Sequence, residues 1–131
     1  LIDRDVLIPT STVRYGGTGE VSGRVDVPLG ADRVTVEVVD GSGQTVRSYS
    51  AAGAALDAQF EFSGDGRDAE GNAMPAADYT VRVRAGQGDA EVALVPELAG
   101  RVSAVRMDAS GLLLEVAGFG DVPFSSISRL A

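Results

Sequence analysis

Residues 60–85, FEFSGDGRDAEGNAMPAADYTVRVRA, carry the strongest structural signals in the sequence. Phe60 and Phe62 alternate with polar residues, which is the pattern of a strand that buries one face. Apolar residues occupy every second position again from 79 to 85. The segment between is rich in glycine and acidic residues and contains a proline, a composition typical of turns. The stretch is therefore predicted to form two strands joined by a long turn.

Tyr79 begins the second of these strands and follows Pro75 closely. In sandwiches of the immunoglobulin type, a tyrosine at this place anchors the preceding corner through its hydroxyl group, while its ring joins the core. We therefore expect Tyr79 to anchor the turn and the whole stretch to form a corner of a β-sandwich.

Further short strands are predicted along the rest of the chain, those at 21–27 and 34–38 from the same alternation. The segments concerned are 6–8, 21–27, 34–38, 45–49, 101–107 and 111–116. Asp40–Gly43 predicts a hairpin turn. Residues 51–58 are predicted to form a loop with at most one helical turn. Residues 92–98 contain Pro96, which favours an edge strand or a connector.

The predicted fold class is all-β, and the residues alone leave two architectures open. In one, residues 1–18 and 91–131 form a small SH3-like or Tudor-like barrel, and residues 19–90 are a sandwich inserted into it. The few strands of residues 91–131 need residues 1–18 to complete a core, because domains below about 40 residues seldom bury a sufficient one. Glycines at 16–19 and 86–88 would then permit relative motion of the two parts. The other architecture is a single sandwich of nine or ten strands.

Composition limits the classes of function. The 131 residues are 44% hydrophobic and 23% charged, as in globular proteins. The net charge of -8 argues against binding to nucleic acid or to anionic membranes, because both require a basic surface. Without cysteine or histidine, the chain cannot build a disulfide, a zinc cluster or a Ser-His-Asp triad. No apolar run is long enough to insert into a membrane. Because the sequence begins at Leu1, it is predicted to be a fragment or a processed chain.

The acidic turn raises the question of a calcium site, since carboxylate and amide oxygens are the ligands of that ion. The candidate ligands are Asp65, Asp68, Glu70 and Asn72. An EF-hand loop starting at Asp65 would need oxygen ligands at its third and fifth positions, where Arg67 and Ala69 stand. We therefore favour capping of the turn by the aspartates. The sequence predicts neither a metal site nor a cofactor.

No residue is singled out for catalysis. The scattered acidic residues contain no evident pair for glycoside hydrolysis. The glycine-rich stretches lack the lysine and the helix that a phosphate-binding loop requires. The chain is therefore predicted not to be an enzyme.

The turn resembles the signature of bacterial flagellar hook-capping proteins, the FlgD family. The residues in register with that signature are Asp65, Gly66, Asp68, Gly71, Pro75 and Tyr79. They are predicted to act as a structural turn motif. Gly64 replaces a tryptophan of the signature, and Ala77 replaces a glycine. The packing near Gly64 is therefore expected to be provided by other side chains, such as Phe62 and Met74.

The flanks extend this resemblance to the whole chain. Residues 1–8 resemble the family's entry into its barrel, with Asp3 at a position where glycine is common. Residues 100–105, 112–116 and 122–127 resemble the family's ending. The resemblance favours the barrel with an inserted domain of fibronectin-III or Ig-like type. It also implies that an N-terminal region for export and assembly lies outside this sequence.

The resemblance implies a mechanical function. Such a protein is exported through the flagellar secretion system and forms an oligomeric cap at the tip of the growing hook, where it guides hook protein subunits into place. The implied partners are hook protein and further copies of the chain. An exposed strand edge at residues 92–98 is expected to dock a partner by β-augmentation. The alternative is an Ig-like module of an exported adhesin that binds a ligand or a glycan.

Overall fold

The computed structural model describes residues 2–53 and 56–130, and within these ranges the chain forms twelve β-strands. In chain order they are β1 (Asp5–Pro9), β2 (Thr12–Tyr15), β3 (Val21–Asp26), β4 (Arg33–Val39), β5 (Thr45–Ala52), β6 (Gln59–Gly64), β7 (Ala77–Gln87), β8 (Ala90–Leu94), β9 (Glu97–Asp108), β10 (Gly111–Val116), β11 (Gly120–Pro123) and β12 (Arg129–Leu130). A 3₁₀ turn at Phe124–Ser126 precedes β12. The predicted all-β class is confirmed. Among the described residues, no helix has the length and apolar character needed to cross a bilayer.

The strands are arranged in two antiparallel sheets. The first has the order β2-β7-β4-β5, with β8 beside β7. The second has the order β11-β10-β9-β1-β12, and β3 joins it through β9 and carries β6 on its other side. Strand β7 is long enough to pair with β2 through residues 77–80 and with β8 through residues 83–87.

The main core lies between the first sheet and the β6-β3-β9 part of the second. Alternate residues of β4 and β7 point into it, as the sequence predicts. Its buried residues are Tyr15, Val21, Val25, Val34, Val36, Val38, Phe62, Met74, Tyr79, Val81, Val83, Ala85 and Leu98. Gly23 belongs to the same face, and a Cβ there would collide with the carbonyl oxygen of Glu97. Glycine at this position therefore lets β3 approach β9 closely.

A second core lies beneath β1, β9, β10 and β11. Its buried residues are Val6, Ile8, Val102, Leu114, Val116 and Val122. Because β1 pairs with β9 and β9 pairs with β10, the first and last segments come together as expected. Two cores support the architecture with two parts. No pairing joins β11 to β12 within the described ranges, and closure into a Tudor-like barrel stays a prediction.

Strand β9 is shared by the two cores. Leu98 is buried in the main core and Val102 in the second. Between them, a Cβ on Gly100 would lie 2.5 Å from Cγ1 of Val116 and 2.8 Å from the ring of Phe119. Phe119 itself packs against both cores. One continuous strand and one aromatic ring therefore connect the two parts.

Glu97 gathers charged groups where the parts meet. Its carboxylate lies 3.6 Å from Nε of Arg24 in β3 and 3.6 Å from Nε of Arg129 in β12. The hydroxyl of Ser128 is within hydrogen-bonding distance of the same carboxylate. The side chain of Glu97 is only 13% exposed, so these attractions are screened less by water than those of surface pairs.

The pairings of β2 and β8 shift the limits predicted for the two parts. Both strands pair with β7 of the first sheet, although the predicted limits of 1–18 and 91–131 place them in the barrel. Alternation indicates which face of a strand is buried but not which sheet the strand joins. We therefore propose that the sandwich comprises residues 10–94 and the second part residues 1–9 and 97–131.

Two local predictions need correction. Gly86 lies inside β7 and Gly88 in the hairpin to β8, so the glycines at 86–88 do not mark a crossing between the two parts. Strand β5 continues to Ala52, so the predicted loop at 51–58 begins too early. Residues 54 and 55 of that loop lie outside the described ranges.

Asp3 has a positive φ of 66°, which explains why glycine is common there in the family that the sequence resembles. Glycine adopts this conformation without strain, and aspartate is one of the few other residues that visit it. The amide of Asp3 donates to the carbonyl oxygen of Val102 at 2.8 Å. The amide of Val102 in turn donates to the carbonyl oxygen of Arg4 at 2.9 Å. The start of the chain is thereby fixed beside β9.

Two hairpin tips use the same aspartate-serine arrangement. Oδ1 of Asp40 accepts hydrogen bonds from the hydroxyl and the amide of Ser42 at 2.6 and 2.9 Å. Oδ1 of Asp108 accepts the corresponding bonds from Ser110, both at 2.8 Å. In each case the serine hydroxyl is the main cause that lowers the pKa of the aspartate below its ordinary value of 3.8. Both carboxylates therefore cap their turns in ionised form.

Gly100→Val is expected to destabilise the protein by about 1–3 kcal/mol, because the added side chain overpacks against Phe119 and Val116. Urea unfolding measures the change. Gly41→Ala is the matched control, since a Cβ at residue 41 meets no atom within 4 Å. Equal stability of the two variants would contradict the close packing on β9.

Asp40→Asn is expected to weaken the dependence of stability on acid. The pKa of Asp40 is lower in the folded state than in the unfolded chain, so the carboxylate stabilises the fold above about pH 3.8. This stabilisation is lost as the pH falls through the lowered pKa. The free energy of unfolding of the wild type should therefore fall more steeply between neutral pH and strong acid than that of the variant. Parallel profiles in urea unfolding would refute the role of this cap.

Candidate functional site

The acidic turn connects β6 to β7, and its first bend is formed by Asp65 and Gly66. Oδ1 of Asp65 accepts a hydrogen bond from the amide of Arg67 at 3.1 Å. Gly66 has a φ of 77°, and a Cβ there would collide with the hydroxyl of Tyr15 and lie 2.9 Å from the carbonyl oxygen of Gly19. The bend is therefore packed directly against the end of β2 and the segment that follows it.

Asp68 organises the tip of the turn. Its Oδ1 accepts hydrogen bonds from the amides of Glu70 at 3.0 Å and Asn72 at 2.9 Å. Its own amide donates to the carbonyl oxygen of Asn72 at 2.9 Å. Gly71 has a φ of 86°, a conformation that favours glycine. The carboxylate of Asp68 thus caps the tip from within.

The acidic residues of the turn do not cluster around a common point in the part of the chain that the structure describes. Asp65 and Asp68 accept hydrogen bonds from amides in separate bends. Among the described residues, no group of three acidic side chains is placed to hold a metal ion. Where a carboxyl pKa is clearly shifted, it is lowered. The amide of Gly88 lowers the pKa of Asp32, as the serine hydroxyls lower those of Asp40 and Asp108.

Tyr79 anchors the end of the turn. Its hydroxyl donates to the carbonyl oxygen of Pro75 at 2.7 Å, and its ring lies edge-to-face with that of Tyr15 at a centroid distance of 6.1 Å. Burial is the main cause that raises the pKa of Tyr79 above 10.0, and Asp40 and Tyr15 add to the shift. The hydroxyl therefore keeps its proton and remains a donor.

The turn also covers the outer edge of β5. The amide of Ala69 donates to the carbonyl oxygen of Val46 at 2.9 Å. From the same strand, Nη1 of Arg47 donates to the carbonyl oxygens of Arg67 at 3.0 Å and Asp68 at 3.4 Å. An uncovered strand edge would present unpaired backbone groups to other chains. The acidic turn therefore ties the two sheets together and protects one of their edges.

Tyr49 packs against Gly64, the position at which the signature that the turn resembles has a tryptophan. A Cβ at residue 64 would collide with the hydroxyl of Tyr49. The ring of Tyr49 stacks on Phe62 at a centroid distance of 6.2 Å, and the guanidinium of Arg47 lies 5.4 Å from the centre of that ring. Phe62 and Met74, which were expected to rebuild the packing, are both buried.

The six motif residues lie together in this one turn and corner, and their role as a structural motif is a proposal that the last experiment of this section tests. Sequence reasoning missed Arg47 and Tyr49. No local sequence pattern shows that their strand, β5, lies beside the turn.

Comparison with known proteins adds evidence that is independent of this geometry. The family model of the FlgD Ig-like domain matches residues 10–89. The chain is 25% identical to the basal-body rod modification protein FlgD of Salmonella typhimurium and 28% identical to that of Escherichia coli. Each alignment covers 99% of this chain but 59% of the relative. The chain therefore spans about three fifths of the length of these relatives.

Solved structures of FlgD proteins have the same fold. The crystal structure of FlgD from Xanthomonas campestris, described in connection with hook capping in flagellar assembly, matches with a TM-score of 0.86 at 28% identity. That match covers 99% of this chain and 94% of the other. FlgD from P. aeruginosa matches with a TM-score of 0.78 at 24% identity over 100% of this chain and 98% of the other. At that lower identity the likeness shows the fold alone.

Tyr79→Phe is expected to destabilise the protein by about 1 kcal/mol, because it removes a short hydrogen bond to Pro75 and leaves the carbonyl oxygen without this donor. Tyr15→Phe is the control, since the hydroxyl of Tyr15 makes a longer bond of 3.3 Å to the carbonyl oxygen of Gly19. Urea unfolding compares the two variants. If Tyr79→Phe is as stable as the wild type, the corner does not depend on this hydroxyl.

Proposed function

The chain belongs to the FlgD family, and from that membership we propose that it is part of a flagellar hook-assembly scaffold that caps the growing hook. The match to the Xanthomonas campestris structure carries the proposal, because it covers nearly all of both chains and concerns a protein described in hook capping. The proposed partners are hook protein and further copies of the full-length protein, and the proposed place of action is the hook tip after export through the flagellar secretion system.

The physical character of the chain supports a mechanical role. Strand β9 contributes buried residues to both cores, and the acidic turn covers one sheet edge. The net charge of -8 favours solubility and discourages non-specific association. A scaffold that meets subunits repeatedly needs these properties and requires no reactive group. We therefore propose a function without catalysis.

Deletion of the gene, followed by complementation with the full-length gene, tests the proposal. The deletion strain is expected to lack hooks and motility and to release hook protein into the medium, and the wild-type gene should restore all three. Electron microscopy of the cell surface and immunoblotting of the medium give the readouts. Intact hooks in the deletion strain, together with loss of adhesion or of glycan binding, would reject the scaffold and favour a ligand-binding module.

A further inference from the structure

The outer edge of β8 differs from two other edges of the first sheet. At the edge of β5, the carbonyl oxygen of Val46 accepts a hydrogen bond from the amide of Ala69. At the edge of β2, the amide of Arg14 donates to the carbonyl oxygen of Gly118 at 2.8 Å. Within residues 2–53 and 56–130, no backbone hydrogen bond reaches β8 except from β7. Strand β8 contains no proline, and Glu91 is its one charged residue.

An open apolar notch lies beside this edge. Val92 pairs directly with Ala85, so both side chains point to the core side of the sheet. Ala85 is buried, whereas Val92 is 53% exposed because the core ends there. Leu29 on the neighbouring loop is fully exposed and lines the same notch, whose volume is about 220 Å³. Two large apolar side chains thus face water around a space of the size of one side chain.

The surroundings of the notch are acidic. Glu91 lines it, Asp32 accepts a hydrogen bond from the amide of Gly88 at 2.9 Å in the turn that precedes β8, and Asp89 lies in that turn. Arg33 is the cation beside them, and it lies 2.8 Å from Asp32 and 3.9 Å from Glu91. Three carboxylates around one guanidinium favour a partner that carries positive charge. A second copy of this chain, with its net charge of -8, suits the surface less well.

We propose that β8 and the notch bind an extended segment of a partner protein. The segment adds to β8 as a further strand, inserts one apolar side chain between Leu29 and Val92, and carries basic residues beside it. The free edge supplies the backbone pairing, the notch selects the side chain, and the carboxylates select the charge. The identity of the partner rests on the proposed function, under which it is a hook protein subunit.

The test compares a full-length double variant, Leu29→Asp with Val92→Asp, with the full-length control Ser48→Asp. Both changes in the double variant are at exposed positions, so the fold should be retained, which circular dichroism and thermal unfolding verify. Ser48 is an exposed residue of β5, whose edge is covered. Purified monomeric hook protein of the same organism is the probe in isothermal titration calorimetry. We expect the double variant to bind at least about tenfold more weakly, the control to match the wild type, and binding of the wild type to weaken as salt is raised.

The outcomes separate this inference from the proposed function. If the double variant binds hook protein like the wild type, or if the wild type does not bind it at all, the inference is wrong. If the double variant restores hooks in the deletion strain as well as the wild type does, the inference fails while the scaffold proposal stands. If the wild type self-associates and the double variant does not, the occupant is a second copy and the proposed partner is wrong.

Discussion

The structure depends on one constraint, which is that a single strand serves two cores. Leu98 and Val102 lie on the same strand and are buried in different cores, so neither core can form without fixing the direction of β9. Gly100 between them allows Phe119 to pack on the backbone, and Glu97 holds charged groups from β3 and β12 at the same junction. Two small cores thereby reinforce each other, which a module of four strands could not achieve alone.

The acidic turn is explained by the edges of the sheets. A sandwich leaves strand edges open, and an uncovered edge can pair with the strands of other chains. The turn reaches from β6 to the edge of β5, where Ala69 and Arg47 join it to that strand. The aspartates and glycines of the signature shape the backbone for this crossing, and Tyr79 fixes its far end. We therefore propose that the sequence features that suggest chemistry serve architecture.

Much of the fold follows from local patterns. Alternation identified the buried faces of β4 and β7, and the anchoring of a corner by a tyrosine hydroxyl is a property of the sandwich itself. Partners of strands were harder to predict, because β2 and β8 have no local feature that assigns them to β7 and not to the second part. Positions that depend on long-range packing, such as Tyr49 over Gly64, are invisible to local patterns. The positive φ of Asp3 was likewise not predicted.

Hydrogen exchange of the native protein tests the central claim most directly, because it reports the free energy of opening in each part separately. If β9 unites the two cores, the slowest amides of β7 and β10 should exchange through the same global unfolding, with opening free energies that agree within about 0.5 kcal/mol. Amides of β10 that open about 2 kcal/mol more easily than those of β7 would show that the second core unfolds by itself. That result would contradict the shared strand as the basis of the fold.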